Sequence, residues 1–390
     1  MAINKNQLEW VKKKKIIRAS TIPLSLELFC RGLLREMSEE YEVVAMSSPG
    51  ELLDVVEQRE SVRCIRIKME RHISPLKDLV SLCRIVRIFM KEKPDIVHSM
   101  TPKAGLLCMM AGWITRVPVR IHTFTGLVFP SATGLKRQIL MATDRLTCSC
   151  ATHVIPEGEG VKNDMLNNHI TRKPLRVLGY GNVRGVDMTY YDRTPEVMRL
   201  VKELRDETLT TFVFVGRIGR DKGIEELCKA FDKLSKDHGS TRLWIIGPDE
   251  SDVDPIPESA RTIIRENAHI QTLGMLRDEQ LLAHYAAADC FVLPSYREGF
   301  PNTVLEAGAM GVPSIVTDIN GSREIIIEGE NGTIVPPHDT DALYEAIKRM
   351  TENPEDRKRM AGNARRLVAE RFEQSYVRKC LYDFYHEILR

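Results

Sequence analysis

The sequence predicts an α/β protein with two doubly wound parallel sheets, each in its own domain. Buried-strand patterns alternate with amphipathic helical patterns through both halves of the 390 residues, and this regular alternation is typical of βαβ units. A chain of this length exceeds one typical hydrophobic core and fits two domains of about 180 residues each.

The first half contains a series of strand patterns with helices between them. Residues 15–20 (KIIRAS) predict a first strand, and residues 24–39 (LSLELFCRGLLREMSE) predict a helix after it. Further strand patterns follow in chain order: YEVVAMS, DIVHSM, VRIHTFT and THVIPEG. The turn-rich residues 179–196 (GYGNVRGVDMTYYDRTPE) interrupt the alternation. We therefore predict a first domain over residues 1–187 and interpret the turn-rich stretch as the connection to a second.

The second half restarts the alternation after the helical pattern EVMRLVKELRDE. Its strand patterns are TFVFVG, LWIIG, IQTLG, CFVLPS, PSIVT and GTIVP, with amphipathic helices between them. They predict a second domain over residues 188–371, and this domain has the strand and helix pattern of a nucleotide-binding fold. Residues 372–390 are amphipathic and add no strand, and we predict that they form a helix that packs back on the first domain.

Composition excludes several classes of protein. No apolar run approaches the roughly 20 residues that cross a bilayer, and the N-terminal residues lack the apolar segment and cleavage site of a secretion signal. We therefore expect a cytoplasmic protein. The nine cysteines include no C-x-x-C pair, which argues against a disulfide framework and a zinc site. Cys148 and Cys150 are expected to be packed thiols.

The formal net charge of +2 conceals a difference between the two halves. Residues 1–190 contain 29 Lys and Arg against 19 Asp and Glu, whereas residues 191–390 contain 27 against 35. A basic first half suits an anionic partner, such as a membrane surface or a phosphate-bearing substrate. Scattered, solvated lysines are the alternative.

Two glutamates, Glu298 and Glu306, lie eight positions apart in the stretch EGFPNTVLEAGAMG between two strand patterns. In a βαβ unit this stretch is a loop and a helix at the carboxyl end of a strand, where ligands of parallel sheets bind. Glu306 lies about one turn into the helix if Asn302 or Thr303 caps it, and both carboxylates could face one crevice. The alternative is a capping box, in which Thr303 and Glu306 only satisfy backbone donors.

The segment TFVFVGRIGRDKGIEELCKAF combines a strand, a basic loop and a helix. The N–H groups at a helix N-terminus attract phosphate, and Arg217, Arg220 and Lys222 add full positive charges. A solvated loop is the alternative. The spacing matches neither a Walker loop nor G-x-G-x-x-G, which disfavours ATPases and dinucleotide-binding enzymes. Together, the basic loop and the carboxylate-bearing loop would hold a nucleotide diphosphate sugar from end to end.

Five stretches together resemble the family 4 glycosyltransferases with the GT-B fold. They are VGRIGRDKG, LWIIGPDE, QTLG, LPSYREGFPNTVLEAGAMGVPSIVTD and NGSREIIIEGENGTIVPP. The likeness covers nearly all of residues 211–350, and the E-x7-E pair is its specific element. It implies two Rossmann-like domains that face each other, with the donor on the C-terminal one. It also implies transfer with retention of anomeric configuration and without a metal ion or other cofactor.

The resemblance also implies roles for matching residues. Arg217 and Lys222 would bind the donor diphosphate beside Gly216 and stabilise the leaving nucleotide. Glu298 would hold the donor sugar, and Glu306 would accept hydrogen bonds from the ribose hydroxyls. The remaining donor-binding candidates are Gly299, Phe300, Pro301, Asn302 and Thr303. Because negative charge grows on the departing diphosphate, fixed cations would stabilise the transition state. Arg217, Lys222 and Glu298 are therefore the candidate catalytic residues.

Residues 97–127 resemble the acceptor domain of members that extend polyprenyl-diphosphate-linked sugars in bacterial capsule, O-antigen or glycoprotein assembly. This resemblance predicts that Lys103 holds the acceptor phosphate, with a solvated lysine as the alternative. Thr125 and Gly126 are the other acceptor-binding candidates. Basic residues 59–71 and 12–15 are expected to attract anionic lipid, or else to solvate an edge strand.

The first domain and the connection depart from the family pattern at three places. Residues 19–28 lack the Gly-rich loop of many members, and Thr125 stands where many have His before the glycine. Arg184 stands where the connection usually has Asn. His122 lies three residues before Thr125, and strand alternation favours a core position for it over a catalytic one.

The resemblance thus implies a retaining glycosyltransferase that takes a UDP-activated sugar of the N-acetylhexosamine type to a lipid-linked saccharide. It would act peripherally at the cytoplasmic face of the inner membrane, with no nucleic acid as a partner. GDP-sugars are alternative donors. A UDP-sugar 2-epimerase and a catalytically silent binding subunit are the alternative functions. The E-x7-E context argues against the epimerase, and the intact pair with Arg217 and Lys222 argues against the silent subunit.

Overall fold

The computed structural model describes residues 13–70, 72, 74–250 and 254–390. These residues divide into two compact units. The first takes the described residues up to Glu157 together with Val161–Val177, and the second takes Gly158–Gly160 and Leu178–Arg390. Each unit has its own parallel sheet with helices around it, as the alternation of patterns predicted.

The described residues of the first unit form one sheet of six strands. The strands are β1 (Lys15–Ala19), β2 (Glu42–Ser47), β3 (Arg63–Arg66), β4 (Ile96–Met100), β5 (Val119–Phe124) and β6 (His153–Pro156). Their order across the sheet is 3-2-1-4-5-6, and every neighbouring pair is parallel. The strands β1 and β4 lie in the centre of the sheet, and beside their apolar residues they bury the polar side chains of Arg18, His98 and Ser99.

The helices of the first half of the chain connect these strands. They are α1 (Pro23–Cys30), α2 (Leu33–Met37), α3 (Glu51–Glu60), α4 (Pro75–Glu92), α5 (Pro102–Ile114), α6 (Gly134–Cys150) and α7 (Glu159–Asn167). The prediction of one helix over residues 24–39 is wrong. Gly32 has a φ of 74°, a left-handed conformation that suits glycine and ends the helical geometry between α1 and α2.

The described residues of the second unit also form a sheet of six parallel strands. The strands are β7 (Thr210–Val215), β8 (Thr241–Ile246), β9 (Ile270–Gly274), β10 (Cys290–Leu293), β11 (Ser314–Thr317) and β12 (Gly332–Val335). The helices are α8 (Pro195–Leu204), α9 (Ile224–Asp237), α10 (Glu258–Glu266), α11 (Asp278–Ala287), α12 (Asn302–Ala309), α13 (Ser322–Ile325), α14 (Thr340–Glu352), α15 (Pro354–Phe372) and α16 (Gln374–Ile388). All six strands that the sequence patterns predicted for this half are present.

The strand order of the second sheet reverses at its centre. Its order is 12-11-10-7-8-9, so β7 and β10 lie side by side while the following strands extend to opposite edges. In doubly wound sheets the crevice at such a switch point is the usual ligand site. The loop after β7 contains Arg217 and Lys222, and the loop after β10 contains Glu298. The two candidate loops therefore meet at this position.

The connection, residues 179–194, is irregular, as its turn residues predicted. It is anchored to the junction of α15 and α16, because Val186 N donates to Phe372 O at 2.8 Å and Gln374 N donates to Val186 O at 3.0 Å. Residues 374–388 form the predicted last helix, α16. Its packing on the first domain stays a prediction.

Two expectations from composition concern membranes and cysteines. Among the described residues, no helix combines the length and apolar character needed to cross a bilayer. All nine cysteines are free thiols, and Cys148 and Cys150 are buried, as expected.

Candidate active site

A glycine allows the basic loop after β7 to pass close to the loop after β10. Residues Arg220–Lys222 form one 3-10 turn, and Gly223 follows with a φ of 68° before α9 begins. A Cβ atom at Gly223 would lie 2.1 Å from the carbonyl oxygen of Pro294. Both the conformation and the close approach require glycine, and together they bring Lys222 to the end of β10.

Lys222 and Glu298 form an ion pair across these two loops. The Nζ atom of Lys222 lies 2.5 Å from Oε1 of Glu298, and their side chains are 14% and 15% exposed. The buried Ser295 donates from Oγ to the same carboxylate oxygen at 2.8 Å. Two donors therefore fix the carboxylate of Glu298 at the switch point of the sheet.

Arg217 is also paired with carboxylates. Its guanidinium contacts Glu250 and lies 3.1 Å from Oδ2 of Asp221. The Arg217 side chain is 40% exposed, so solvent weakens these pairs. A diphosphate accepts paired hydrogen bonds from a guanidinium and carries more charge than one carboxylate, and it is therefore able to replace them.

The predicted cap of the helix after Glu298 is wrong. Helix α12 begins at Asn302 with Pro301 at the N-cap position, and no side chain caps it. Thr303 is the second residue of the helix, so it does not form the capping box with Glu306. Proline has no side-chain oxygen with which to accept a hydrogen bond from the first turn.

Glu306 lies inside the second unit, where side chains from two other elements bind its carboxylate. It is 8% exposed. Its Oε1 lies 3.2 Å from Nη1 of Arg184 in the connection, and its Oε2 accepts from the Tyr285 hydroxyl of α11 at 3.2 Å. Burial, followed by the neighbouring Glu306 carboxylate, raises the pKa of Tyr285 well above its ordinary value. The hydroxyl therefore stays a hydrogen-bond donor at neutral pH.

The residues between the two glutamates offer mainly backbone groups. Phe300 is buried, and its ring packs on Phe372 with a centroid distance of 5.5 Å, so its side chain faces the core. Pro301 has no N–H group. The Oδ1 atom of Asn302 accepts from Nδ2 of Asn182 at 3.1 Å. The donor-binding role of this backbone stays a prediction.

The acceptor-binding candidates lie at the carboxyl ends of two neighbouring strands of the first unit. Lys103 is in the first turn of α5, after β4, and Thr125 and Gly126 directly follow β5. The Nζ atom of Lys103 lies 2.5 Å from Oδ2 of Asp78, and both side chains are mostly buried. The alternative of a solvated lysine is therefore wrong. The role of all three residues towards an acceptor stays a prediction.

His122 is a core residue, as its strand position indicated. It is buried, and its Nδ1 lies 2.9 Å from Oγ of Ser99. A Cβ atom at Gly105 would lie 2.3 Å from the imidazole ring. Burial lowers the pKa of His122 to about 3, so the ring is neutral at neutral pH.

The basic segment of residues 59–71 is largely neutralised within the first unit. The ion pairs are Arg59 with Glu27 and Glu60, Arg63 with Glu92, Arg66 with Asp54 and Glu57, and Lys68 with Glu70. Because β3 is an edge strand, these pairs fit the alternative of a solvated edge. Lys12 and Arg71 lie outside the described residues.

Three side chains that hold the site were not found by sequence reasoning. Ser295 lies at the end of β10 and three residues before Glu298, and this position was the signal that could have indicated it. Asn182 accepts from the backbone N–H groups of Arg184 and Gly185 at 3.0 and 2.6 Å, a common role of Asn in turns. Tyr285 has no local signal, because it meets Glu306 only through packing.

The arrangement offers cations for an anionic group and fixed carboxylates for hydroxyl groups. Arg217 and Lys222 can bind phosphate oxygens, and Glu298 and Glu306 can accept hydrogen bonds from a sugar and a ribose. Within the described residues, no group of three or more His, Cys, Asp or Glu side chains could hold a metal ion.

Comparisons with known proteins show the family of the chain. Residues 27–181 match the glycosyl transferase 4-like domain, and residues 200–367 match the glycosyl transferases group 1. The capsular polysaccharide biosynthesis glycosyltransferase CapM of Staphylococcus aureus is 30% identical over 384 residues, which cover 97% of this chain and 99% of CapM. The chain belongs to the family 4 glycosyltransferases.

Other relatives of this glycosyltransferase extend the comparison. The UDP-Gal:α-D-GlcNAc-diphosphoundecaprenol α-1,3-galactosyltransferase of Escherichia coli is 25% identical over 355 residues, which cover 87% of the present glycosyltransferase and 89% of the relative. The structure of Anabaena HepE in complex with UDP has a TM-score of 0.80 at 16% identity, covering 96% and 100% of the two chains. A Rickettsia africae glycosyltransferase has a TM-score of 0.79 at 20% identity, covering 97% and 99%. The glycosyltransferase therefore has the GT-B fold.

Proposed function

We propose that the protein is a retaining glycosyltransferase that transfers a sugar from a UDP-sugar to a polyprenyl-diphosphate-linked saccharide. The product would belong to a bacterial surface polysaccharide. This proposal rests on the ion pair between Lys222 and Glu298 at the switch point of the second sheet, in a chain of this family. Lys222 has the positive charge that binds a diphosphate, and Glu298 has carboxylate oxygens that accept hydrogen bonds from a sugar.

Lys222 and Arg217 bind the donor diphosphate in this proposal. Negative charge grows on the diphosphate as the bond to the sugar breaks, and well-aimed donors at such a charge contribute about 3 to 4 kcal/mol each. Lys222 is mostly buried, so its charge is less screened than that of a surface lysine. Arg217 is more exposed and exchanges its carboxylate partners for phosphate oxygens.

Glu298 positions the donor sugar. Its carboxylate already accepts hydrogen bonds from Lys222 and Ser295 at Oε1, and these donors hold the carboxylate in one orientation. In the proposed step, the acceptor hydroxyl attacks the anomeric carbon on the face from which the diphosphate leaves, and a phosphate oxygen takes the hydroxyl proton. Attack on this face retains the anomeric configuration.

The relatives' names support the proposed substrates. The E. coli relative is named for UDP-Gal and a diphosphoundecaprenol-linked acceptor, and CapM is named for capsular polysaccharide biosynthesis. A UDP-sugar and a lipid-linked saccharide are therefore the proposed pair. We propose an N-acetylhexosamine as the sugar, and galactose, the sugar in the name of the E. coli relative, is the first alternative to compare.

The outer face of α4 is the proposed contact with an anionic membrane. Leu76, Leu79 and Val80 are exposed on this helix, with Leu76 at 82%, and the exposed Arg84 and Arg87 follow. Apolar side chains beside arginines suit the boundary between lipid headgroups and acyl chains. Docking there would place the protein peripherally on the cytoplasmic face, where a lipid-linked acceptor is available.

The test combines a donor screen with product analysis. UDP and GDP forms of N-acetylglucosamine and galactose are compared by thermal shift, then incubated with polyprenyl-diphosphate N-acetylglucosamine. We expect the UDP-sugars to stabilise the protein, and we expect mass spectrometry to show an acceptor extended by one sugar with the donor's anomeric configuration. Free epimerised sugar without acceptor would indicate the epimerase instead, and the absence of any donor binding would indicate a silent subunit.

A further inference from the structure

Arg184 joins the connection to the carboxylate of Glu306. Its Nη1 lies 3.2 Å from Oε1 of Glu306, and its Nη2 donates to the Tyr191 hydroxyl at 3.3 Å. The backbone of Arg184 is held as well, because its N–H donates to Oδ1 of Asn182. Asn182 in turn donates to Asn302 at the start of α12. The guanidinium is therefore fixed relative to the helix that carries Glu306.

The carboxylate of Glu306 depends on this arginine for its charge balance. Within the described part of the chain, Arg184 is the one cation at ion-pair distance from Glu306. A buried carboxylate without a cation is strongly unfavourable. Tyr285 adds a neutral donor to the other oxygen at 3.2 Å, and the buried Tyr191 hydroxyl, which Arg184 also contacts, interacts with the carboxylate as well. An ionised carboxylate has about four acceptor sites, so these partners leave capacity for a hydrogen bond from a ligand.

We propose that Arg184 is a positioning residue that, together with Tyr285, orients the Glu306 carboxylate to accept both ribose hydroxyls of the donor nucleotide. The inference rests on the proposed role of Glu306 towards the ribose. Arg184 does not touch the nucleotide in this arrangement and acts only through Glu306. Its effect therefore appears as selectivity for ribose over 2′-deoxyribose, and not as a uniform change in affinity.

The experiment measures the affinities of UDP and 2′-deoxy-UDP by calorimetry for the full chain and five variants. The wild type is expected to prefer UDP by about tenfold or more, on the scale of one hydrogen bond to a charged group. Arg184→Gln is expected to bring this preference to within about twofold, and Arg184→Lys to restore most of it because the positive charge returns.

A double variant keeps the test valid if Arg184→Gln does not fold. Arg184→Gln combined with Glu306→Gln leaves no unpaired buried charge, so it is the safer protein to prepare. Because Arg184 acts through Glu306, the double variant is expected to bind UDP as Glu306→Gln does, within about twofold. A further loss of tenfold would show that Arg184 acts on the nucleotide by another route and would overturn the inference.

Arg193→Gln is the matched control. Arg193 is in the same connection and donates to the Met310 carbonyl at the opposite end of α12, at 3.1 and 2.7 Å. The Arg193→Gln substitution is expected to lower the melting temperature and to leave the preference for UDP over 2′-deoxy-UDP unchanged. Loss of the preference in this control as well would mean that any loosening of α12 has this effect, which would contradict a specific role of Arg184.

The outcomes separate this inference from the proposed function. If Glu306→Gln loses the preference for UDP and Arg184→Gln keeps it, the inference about Arg184 is wrong and the ribose role of Glu306 stands. If the wild type shows no preference and Glu306→Gln binds UDP normally, the ribose role itself is wrong.

Discussion

The Nζ atom of Lys222 and Oε1 of Glu298 lie 2.5 Å apart, although 76 positions separate the two residues in the chain. Lys222 belongs to the loop after β7, and Glu298 belongs to the loop after β10, and these strands are neighbours at the centre of the sheet. The pair joins the proposed ligand of the diphosphate to the proposed ligand of the sugar. A nucleotide-sugar donor that binds here would place its diphosphate and its sugar hydroxyl groups around the ion pair between Lys222 and Glu298.

Removal of either cation is expected to slow the reaction. Lys222→Ala and Arg217→Ala should each lower kcat by about a hundredfold or more, because each removes a charge aimed at the developing negative charge of the diphosphate. Steady-state kinetics with the best UDP-sugar would measure this. Lys229→Ala is the control, since Lys229 forms an exposed ion pair with Glu225 on α9 and should leave kcat unchanged. Wild-type turnover in both site variants would refute the diphosphate assignment.

Activity is expected to persist in the presence of a chelator. Arg217 and Lys222 supply the positive charge that a divalent ion supplies in other transferases. Turnover in excess EDTA should therefore equal turnover without it. Loss of activity in EDTA, with recovery on addition of Mn²⁺, would show that the cations of the two loops are insufficient.

The outer face of α4 is expected to bind anionic vesicles. Leu76→Glu combined with Val80→Glu should lower partitioning onto phosphatidylglycerol vesicles by about tenfold, because both apolar side chains leave the interface and negative charges are added. Cosedimentation would measure the bound fraction. Leu166→Glu, at an exposed position of α7, is the control. Equal binding by the α4 variant and the control would show that the membrane contact lies elsewhere.

The stability of the first unit is expected to fall in mild acid because of His122. Burial lowers the pKa of His122 from 6.5 to about 3, so the unfolded chain binds a proton between these pH values that the folded chain does not. As far as His122 is concerned, the free energy of unfolding is therefore at its full value above pH 6.5 and declines as the pH falls from 6.5 towards 3. At pH 5 this group lowers the free energy of unfolding by about 2 kcal/mol relative to pH 7.

Urea unfolding of the wild type and His122→Gln at pH 7 and pH 5 would measure this effect. The variant should lose the part of the pH dependence that His122 contributes. The exposed His169 has a φ of 51°, which Asn tolerates, so His169→Asn is the control and should behave as the wild type. An unchanged pH dependence in His122→Gln would contradict the buried neutral state of the ring.

Most strands, most helices and the two loops of the site could be predicted from local patterns, whereas the short edge strand β3 was not among the predicted strands. The periods of strands and helices differ, and each is set by neighbouring residues, so the six strands of the second half were found where they occur. The basic loop and Glu298 were found because both follow strand patterns, and parallel strands place their carboxyl ends at one edge. The break at Gly32 was missed, since an apolar helical pattern continues on both sides of it.

The partners of the site residues depended on how the chain folds in three dimensions. No local pattern indicates that Lys222 meets Glu298 or that Arg184 and Tyr285 meet Glu306, because these contacts join elements that are far apart in the chain. The capping prediction at Thr303 followed a real local pattern, yet α12 begins at Asn302 with Pro301 in the cap position, and the carboxylate binds Arg184 instead. Burial decided that outcome, since a carboxylate removed from water requires strong partners, and only packing determines which side chains are near enough to provide them.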